Sequence, residues 1–151
     1  MNLERYTNKA REALMKAQSI AIEYRHTMIE PAHILVALLQ QKDGVVPEII
    51  AKIGARPAAL LAEVEGSLHN LPRYASGGSD QIGLSRDAVQ LLTEAEKQAA
   101  KMSDEYVSTE HLLLALAEAR AGLTVLARNG ITSEAILQAL SAIRGGQRVT
   151  S

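Results

Sequence analysis

With 151 residues, 47% hydrophobic and 22% charged, the chain has the composition of a globular protein and the length of one domain or two very small ones. A formal net charge of −1 supplies no basic field for a nucleic-acid backbone or an anionic membrane surface. The absence of cysteine excludes disulfides and thiolate chemistry and points to an intracellular setting; Phe and Trp are absent as well, so the core must be built from Leu, Ile, Val, Met and Ala, residues that suit helices.

The opening MNLERYTNKAREAL is charged and lacks the apolar centre of a signal peptide. Thr7 is placed to cap a first helix whose apolar stripe runs through Ala10, Ala13, Leu14, Ala17, Ile20, Ala21 and Tyr24. Glu30 and Pro31 open a second helix that ends near Gln41. A short third helix runs from about Val46 to Ile53 and stops at Gly54. Pro57 begins a fourth, with Leu60, Leu61, Val64, Leu68 and Leu71 on one face. The stretch LPRYASGGSDQIGLS then reads as a loop.

After the loop the plan repeats. Ser85 is placed to cap a helix carrying Ala88, Leu91, Leu92, Ala95, Ala99 and Met102 on its stripe, and Ser108 the next, through about Glu118. Leu123–Asn129 makes a short helix stopped by Gly130, and Thr132–Ile143 the last. At an offset of 78, Leu14 meets Leu92, Ala17 meets Ala95, Ala21 meets Ala99, His33 meets His111 and Leu38 meets Leu116. After a two-residue adjustment, Gly54 meets Gly130 and Leu61 meets Leu137. This is a duplicated four-helix unit. The expected fold is all-α: eight helices as a pseudo-two-fold tandem repeat sharing one core.

Expected boundaries are a single domain over residues 1–144, with the first repeat at about 3–71, the loop at about 72–84 and the second repeat at about 85–144. Two units near 75 residues should not stand apart, because so small a domain buries only about 60% of its unfolded surface. The second helix of each unit (Ile34–Leu39, Leu112–Ala117) is apolar all round and is the natural centre, though too short to span a bilayer.

Chemistry is sparse. His33 and His111 stand in the first turns of their helices, without the spacing of a zinc site; packing and capping there is the simpler role, and a pair meeting on the pseudo-two-fold axis is the alternative. Neither a G-x-S-x-G elbow nor a phosphate-binding G-x-x-x-x-G-K-[ST] loop is present, so no catalytic site is visible. A small hydrolase using His33, His111 and nearby carboxylates is the remaining enzymatic option. On the residues alone, Thr7 is an N-cap, Asp104 is a solvated turn residue, and Glu110 is a carboxylate favoured at a helix start by about 0.3–1 kcal/mol.

The double pattern, the opening MNLERYTNKAREAL, the segments EPAHILVALL and STEHLLLALAE, and the closing RGGQRVTS together resemble the Clp N-terminal domain over essentially the whole chain. Within that family they resemble the ClpB-type protein disaggregases. ClpC-type relatives, which feed a protease, tend to carry a T-E-H phrase in both repeats, whereas Pro31-Ala32-His33 stands in the first repeat here. The resemblance implies a non-enzymatic, monomeric, cytoplasmic module that binds exposed apolar stretches of unfolded or aggregated polypeptides in a groove between the repeats. Thr7, Asp104 and Glu110 would mark the polar edge of that groove and Leu92 its apolar lining. Residues 145–151 would begin a flexible linker to ATPase rings absent from this sequence. ATP, magnesium, hexamer formation and cooperation with a DnaK-type chaperone system would belong to the full-length protein. No metal, nucleic acid or membrane is implied. The alternative within the family is an adaptor-docking domain of a ClpC- or ClpA-like protease unfoldase.

Overall fold

Eight α-helices occupy the described part of the computed structural model, residues 3–118 and 123–145. They are α1 (Asn8–Glu23), α2 (Pro31–Gln40), α3 (Val45–Ile53), α4 (Pro57–Ser67), α5 (Arg86–Lys101), α6 (Thr109–Glu118), α7 (Thr124–Arg128) and α8 (Ser133–Arg144). No named strand is present among these residues, and none of the helices is long and apolar enough to cross a membrane. The expected linker, residues 145–151, lies outside the described residues except for Gly145.

Short-range chemistry sets the helix starts in matching fashion. Thr7 Oγ1 accepts the Ala10 N–H at 3.2 Å and Ser85 Oγ accepts the Ala88 N–H at 3.1 Å, each cap contributing about 1 kcal/mol. The first residues of α2 and α6 are held differently. The Glu30 N–H donates to His33 Nδ1 and the Ser108 N–H to His111 Nδ1, both at 2.8 Å. In each pair the His N–H in turn donates to the earlier residue's carbonyl, at 3.0 and 3.1 Å. A histidine three residues into the helix therefore does the work usually done by Glu or Gln. The Ser108 hydroxyl meets the His111 ring at 3.0 Å, so the expected serine cap of α6 is routed through the imidazole.

The fourth helix is shorter than its apolar face suggested. It ends at Ser67, and Leu68–Asn70 form one turn of 3₁₀ helix. The Ser67 hydroxyl donates to the Val64 carbonyl at 2.6 Å, a local bond that competes with helix continuation. Pro72 then pushes Leu71 out of the helical region, to φ −80°, ψ 149°.

The two repeats exchange their ends. Tyr6 bridges Val107 and Leu84 bridges Ile29, both parallel. The Thr7 N–H donates to the Val107 carbonyl at 2.9 Å and the Val107 N–H to Arg5 at 2.8 Å; the Ser85 N–H donates to Ile29 at 3.0 Å and the Ile29 N–H to Gly83 at 2.9 Å. Every partner in the second set lies 78 residues from its counterpart in the first. The segment leading into each repeat thus pairs with the hinge between the first two helices of the other, the reciprocity of an isologous interface.

Helix packing obeys the same symmetry. α1 packs on α2 and α5 on α6; across the repeats α1 meets α6 as α2 meets α5, and α3 meets α8 as α4 meets α7. α2 and α6 touch at the centre. Ile34–Leu38 and Leu112–Leu116 are no more than 1% exposed, as helices apolar all round must be. One continuous cluster joins them to residues of both units, and Ala10, Ala13, Ala17, Ala88 and Ala95 let the outer helices come close.

Candidate functional site

Two histidine networks sit at corresponding places. Because His33 Nδ1 accepts the Glu30 N–H, its proton lies on Nε2, which donates to His26 Nδ1 at 2.7 Å. In the second repeat, His111 Nδ1 accepts and Nε2–H donates to Asp104 Oδ2 at 2.7 Å. His26 and Asp104 are 78 residues apart, so the duplication has placed a base in one copy and an acid in the other. Arg144 of α8 completes the second network, 2.9 Å from Asp104 and 3.7 Å from Glu110. Asp104 is therefore not the solvated turn residue expected from its neighbours: its side chain is fully buried, with an arginine supplied from forty positions further along.

Burial dominates the protonation of all three histidines. It pushes His33 down to about 4, with His26 beside it adding to the effect, and it lowers His26. It lowers His111 as well, outweighing the hydrogen bond to Asp104 that favours the charged form. Both duplicated histidines therefore act as neutral first-turn caps, each partnered within its own repeat rather than across the axis. Ser108, His111 and Asp104 stand in the order of a hydrolase triad, but His111 is 0% exposed and the Ser108 main-chain N–H occupies the nitrogen a nucleophile would use. The arrangement holds a helix start. No group of three or more metal-ligating side chains occurs among the described residues.

The accessible feature lies outside this network, where the Tyr6–Val107 bridge joins the repeats. Tyr6 is buried between two clefts. Its hydroxyl donates to Glu96 at 3.1 Å, and burial followed by the nearby carboxylate raises its pKa. On one side a cleft of about 270 Å³ runs along α5, lined by Ala99, Ala100 and Val107, with Arg5, Glu96, Asp104 and Glu105 around them. On the other, a wider cleft of about 710 Å³ opens between the start of α1, the turn before α3 and the start of α6. Thr7, Asn8, Lys9, Arg11, Asp43, Tyr106 and Glu110 line it, a mixture of charge and aromatic surface.

Of the residues singled out from sequence, Thr7 and Glu110 face the wider cleft together and Asp104 lines the narrower one. Leu92 lines neither; it is 7% exposed within the core cluster, on the stripe of α5. The residues that sequence reasoning missed are Tyr6, Val107 and Tyr106. Tyr6 and Val107 are joined by a pairing between distant segments, which helical periodicity does not reveal.

The sequence profile of the Clp repeat (R) N-terminal domain matches residues 5–130. The chain belongs to this family. It is similar to the chaperone protein ClpB of Bacillus cereus, at 36% identity over all of this chain and 18% of that protein. It is likewise similar to the ClpB of Mycobacterium tuberculosis, at 38% identity over 96% of this chain and 17% of that protein. The chain thus spans less than a fifth of the curated relatives it matches. Among solved structures, the Hsp104 N-terminal domain from Candida albicans superposes with a TM-score of 0.85 at 25% identity, over 98% of this chain and 97% of that one. A ClpV N-domain in complex with a VipB peptide shares the fold at a TM-score of 0.73 and 19% identity, over 99% of this chain and 96% of that one. The Clp repeat fold, an N-terminal domain of the ClpB and Hsp104 type, therefore places its two clefts where one repeat's lead-in segment crosses the other's hinge.

Proposed function

We propose that this domain captures exposed segments of unfolded or aggregated polypeptides in the groove beside Tyr6 and presents them to ATP-driven threading rings on the remainder of a longer, hexameric cytoplasmic chaperone. ATP and magnesium act in that remainder, and a DnaK-type system supplies clients to it. The observation that carries the reading is the wider cleft, built jointly by both repeats, with Thr7 and Glu110 on its wall and Tyr106 exposing part of its ring. An open cleft of mixed lining favours weak, sequence-tolerant binding, since each buried Å² of apolar surface contributes only about 25 cal/mol before association costs. Weak capture suits a module that must release its client into a pore.

The charged lining from Lys9, Arg11, Asp43 and Glu110 also supports a second reading, docking of a folded adaptor that matches those charges. An amide NMR titration separates the two. Shifts at Thr7, Tyr106 and Glu110 on adding an unfolded apolar polypeptide, lost in Tyr106→Ala, support client capture. Absence of shifts, or shifts confined to another face, overturns it in favour of a folded partner.

A further inference from the structure

The narrower cleft has a chemistry of its own. Its walls are aliphatic or aromatic: Ala99 and Ala100 on α5, Val107 of the bridge, and the Tyr6 ring. Its rim carries Glu96 and Glu105, both exposed. The Tyr6 hydroxyl holds the Glu96 carboxylate at 3.1 Å, which fixes one acid beside the apolar wall. Neither glutamate has an ion-pair partner among the described residues. Asp104, behind them, is already matched by Arg144 and His111. The one cation on the rim is Arg5, whose guanidinium donates to the Glu105 main-chain carbonyl at 3.3 Å and not to a carboxylate.

An apolar trough about 270 Å³ in volume, ending in two uncompensated carboxylates, complements a side chain with an aliphatic stem and a cationic head. We propose that this cleft receives a lysine or arginine side chain of the bound polypeptide, so that the domain selects segments in which a basic residue adjoins apolar ones. The stem covers Ala99, Ala100 and Val107 while the head lies between Glu96 and Glu105. Arg5 competes from within the chain: its guanidinium already reaches the rim, and a guest's cationic head adds what its single long hydrogen bond leaves unmatched. This deepens the proposed function and rests on it, because the guest side chain arrives on a segment lying in the groove beside Tyr6.

The test uses two short unstructured apolar peptides, identical except that one carries a central arginine and the other the neutral citrulline. Each is titrated into the whole chain and followed by amide shifts. The arginine peptide is expected to bind roughly three- to fivefold tighter at low salt, the range of an exposed charge pair. That advantage is expected to vanish at high salt and in the Glu96→Gln/Glu105→Gln double variant, and to widen in Arg5→Gln. Both glutamates are exposed, so the double variant should keep the helical circular dichroism of the parent; the salt series on the unaltered chain tests the idea independently of any variant. Equal binding of the two peptides, or a preference that survives both Gln replacements, overturns the cation cleft. If the citrulline peptide still shifts Thr7 and Glu110, the groove reading stands while the cleft assignment falls. If neither peptide binds, both fall.

Discussion

The duplicated histidines show two solutions to one packing problem. In the second repeat, His111 donates to a buried aspartate that an arginine from the last helix also holds. In the first, His33 donates to a second histidine, and the far nitrogen of that ring, His26 Nε2, makes no hydrogen bond within normal limits and has only the Leu68 backbone to favour its protonated form. Leu68 and Arg144 stand 76 residues apart, the offset that also relates Gly54 to Gly130. One copy thus ties its terminal helix to its hinge with charge. The other leaves an apolar leucine and a neutral, under-satisfied ring. The conserved part of the device is the Nδ1 cap at the helix start; the partner on Nε2 was free to diverge, because a neutral imidazole donor accepts either a carboxylate or another imidazole.

The difference predicts unequal dependence on single side chains. Asp104→Ala would strand a 13%-exposed arginine and a fully buried imidazole, and breaking a buried pair of this kind costs about 3–5 kcal/mol. Urea unfolding of the variant against the parent measures it. His26→Leu is expected to cost distinctly less, because the lost hydrogen bond to His33 is offset by removal of the unpartnered Nε2. Equal losses in the two variants would mean that the charged network gives the second repeat no special hold on α8.

Acid should act through the same asymmetry. An exposed imidazole titrates near 6.5, whereas His33 in the fold is lowered to about 4. Below pH 6.5 the unfolded chain therefore binds a proton that the folded chain refuses, and stability rises with pH across that interval. The His33 contribution is fully present above pH 6.5, falls as pH drops towards 4 and levels off below it, a loss of about 3 kcal/mol. The charged groups facing the pair, His69 and Arg73 beside His26, oppose protonation there too. Denaturant unfolding at stepped pH gives the slope, and His33→Gln should flatten it by that amount. An unchanged slope would assign the acid sensitivity to His111 and the carboxylates instead.

Helix periodicity made the fold legible: the stripe of α1, the all-apolar α2 and α6, and the repeated capping positions need only local spacing. The histidine alignment was legible for the same reason. Asp104 was not, because its partner Arg144 comes from another helix, and a turn written Ser103-Asp104-Glu105 looks solvated without it. The cleft was half legible. The resemblance brought Thr7 and Glu110 to one place, but it put Leu92 in the lining, whereas α5 turns that residue into the core cluster. Tyr6 and Val107 escaped because a parallel bridge between segments so distant leaves no periodic trace in either.

The smallest expected effect probes the backbone, where the two repeats agree. Arg25 and Ser103 are the two non-glycine residues of positive φ among those described, both at 59° and 78 positions apart. Each turns the chain from the end of one helix towards the hinge that pairs with the other repeat, so both copies kept the left-handed residue although neither uses glycine. Glycine adopts that conformation without steric cost, and Ser103→Gly should stabilise the domain by about 0.5 kcal/mol, the relief slightly exceeding the added entropy of the unfolded chain. Arg25→Gly should gain less, because the arginine stem lies 3.7 Å from where a Gly78 side chain would begin and covers part of that loop. Thermal unfolding of both variants gives the order. A loss in Ser103→Gly would show that its side chain, rather than its backbone angle, is what the hinge requires.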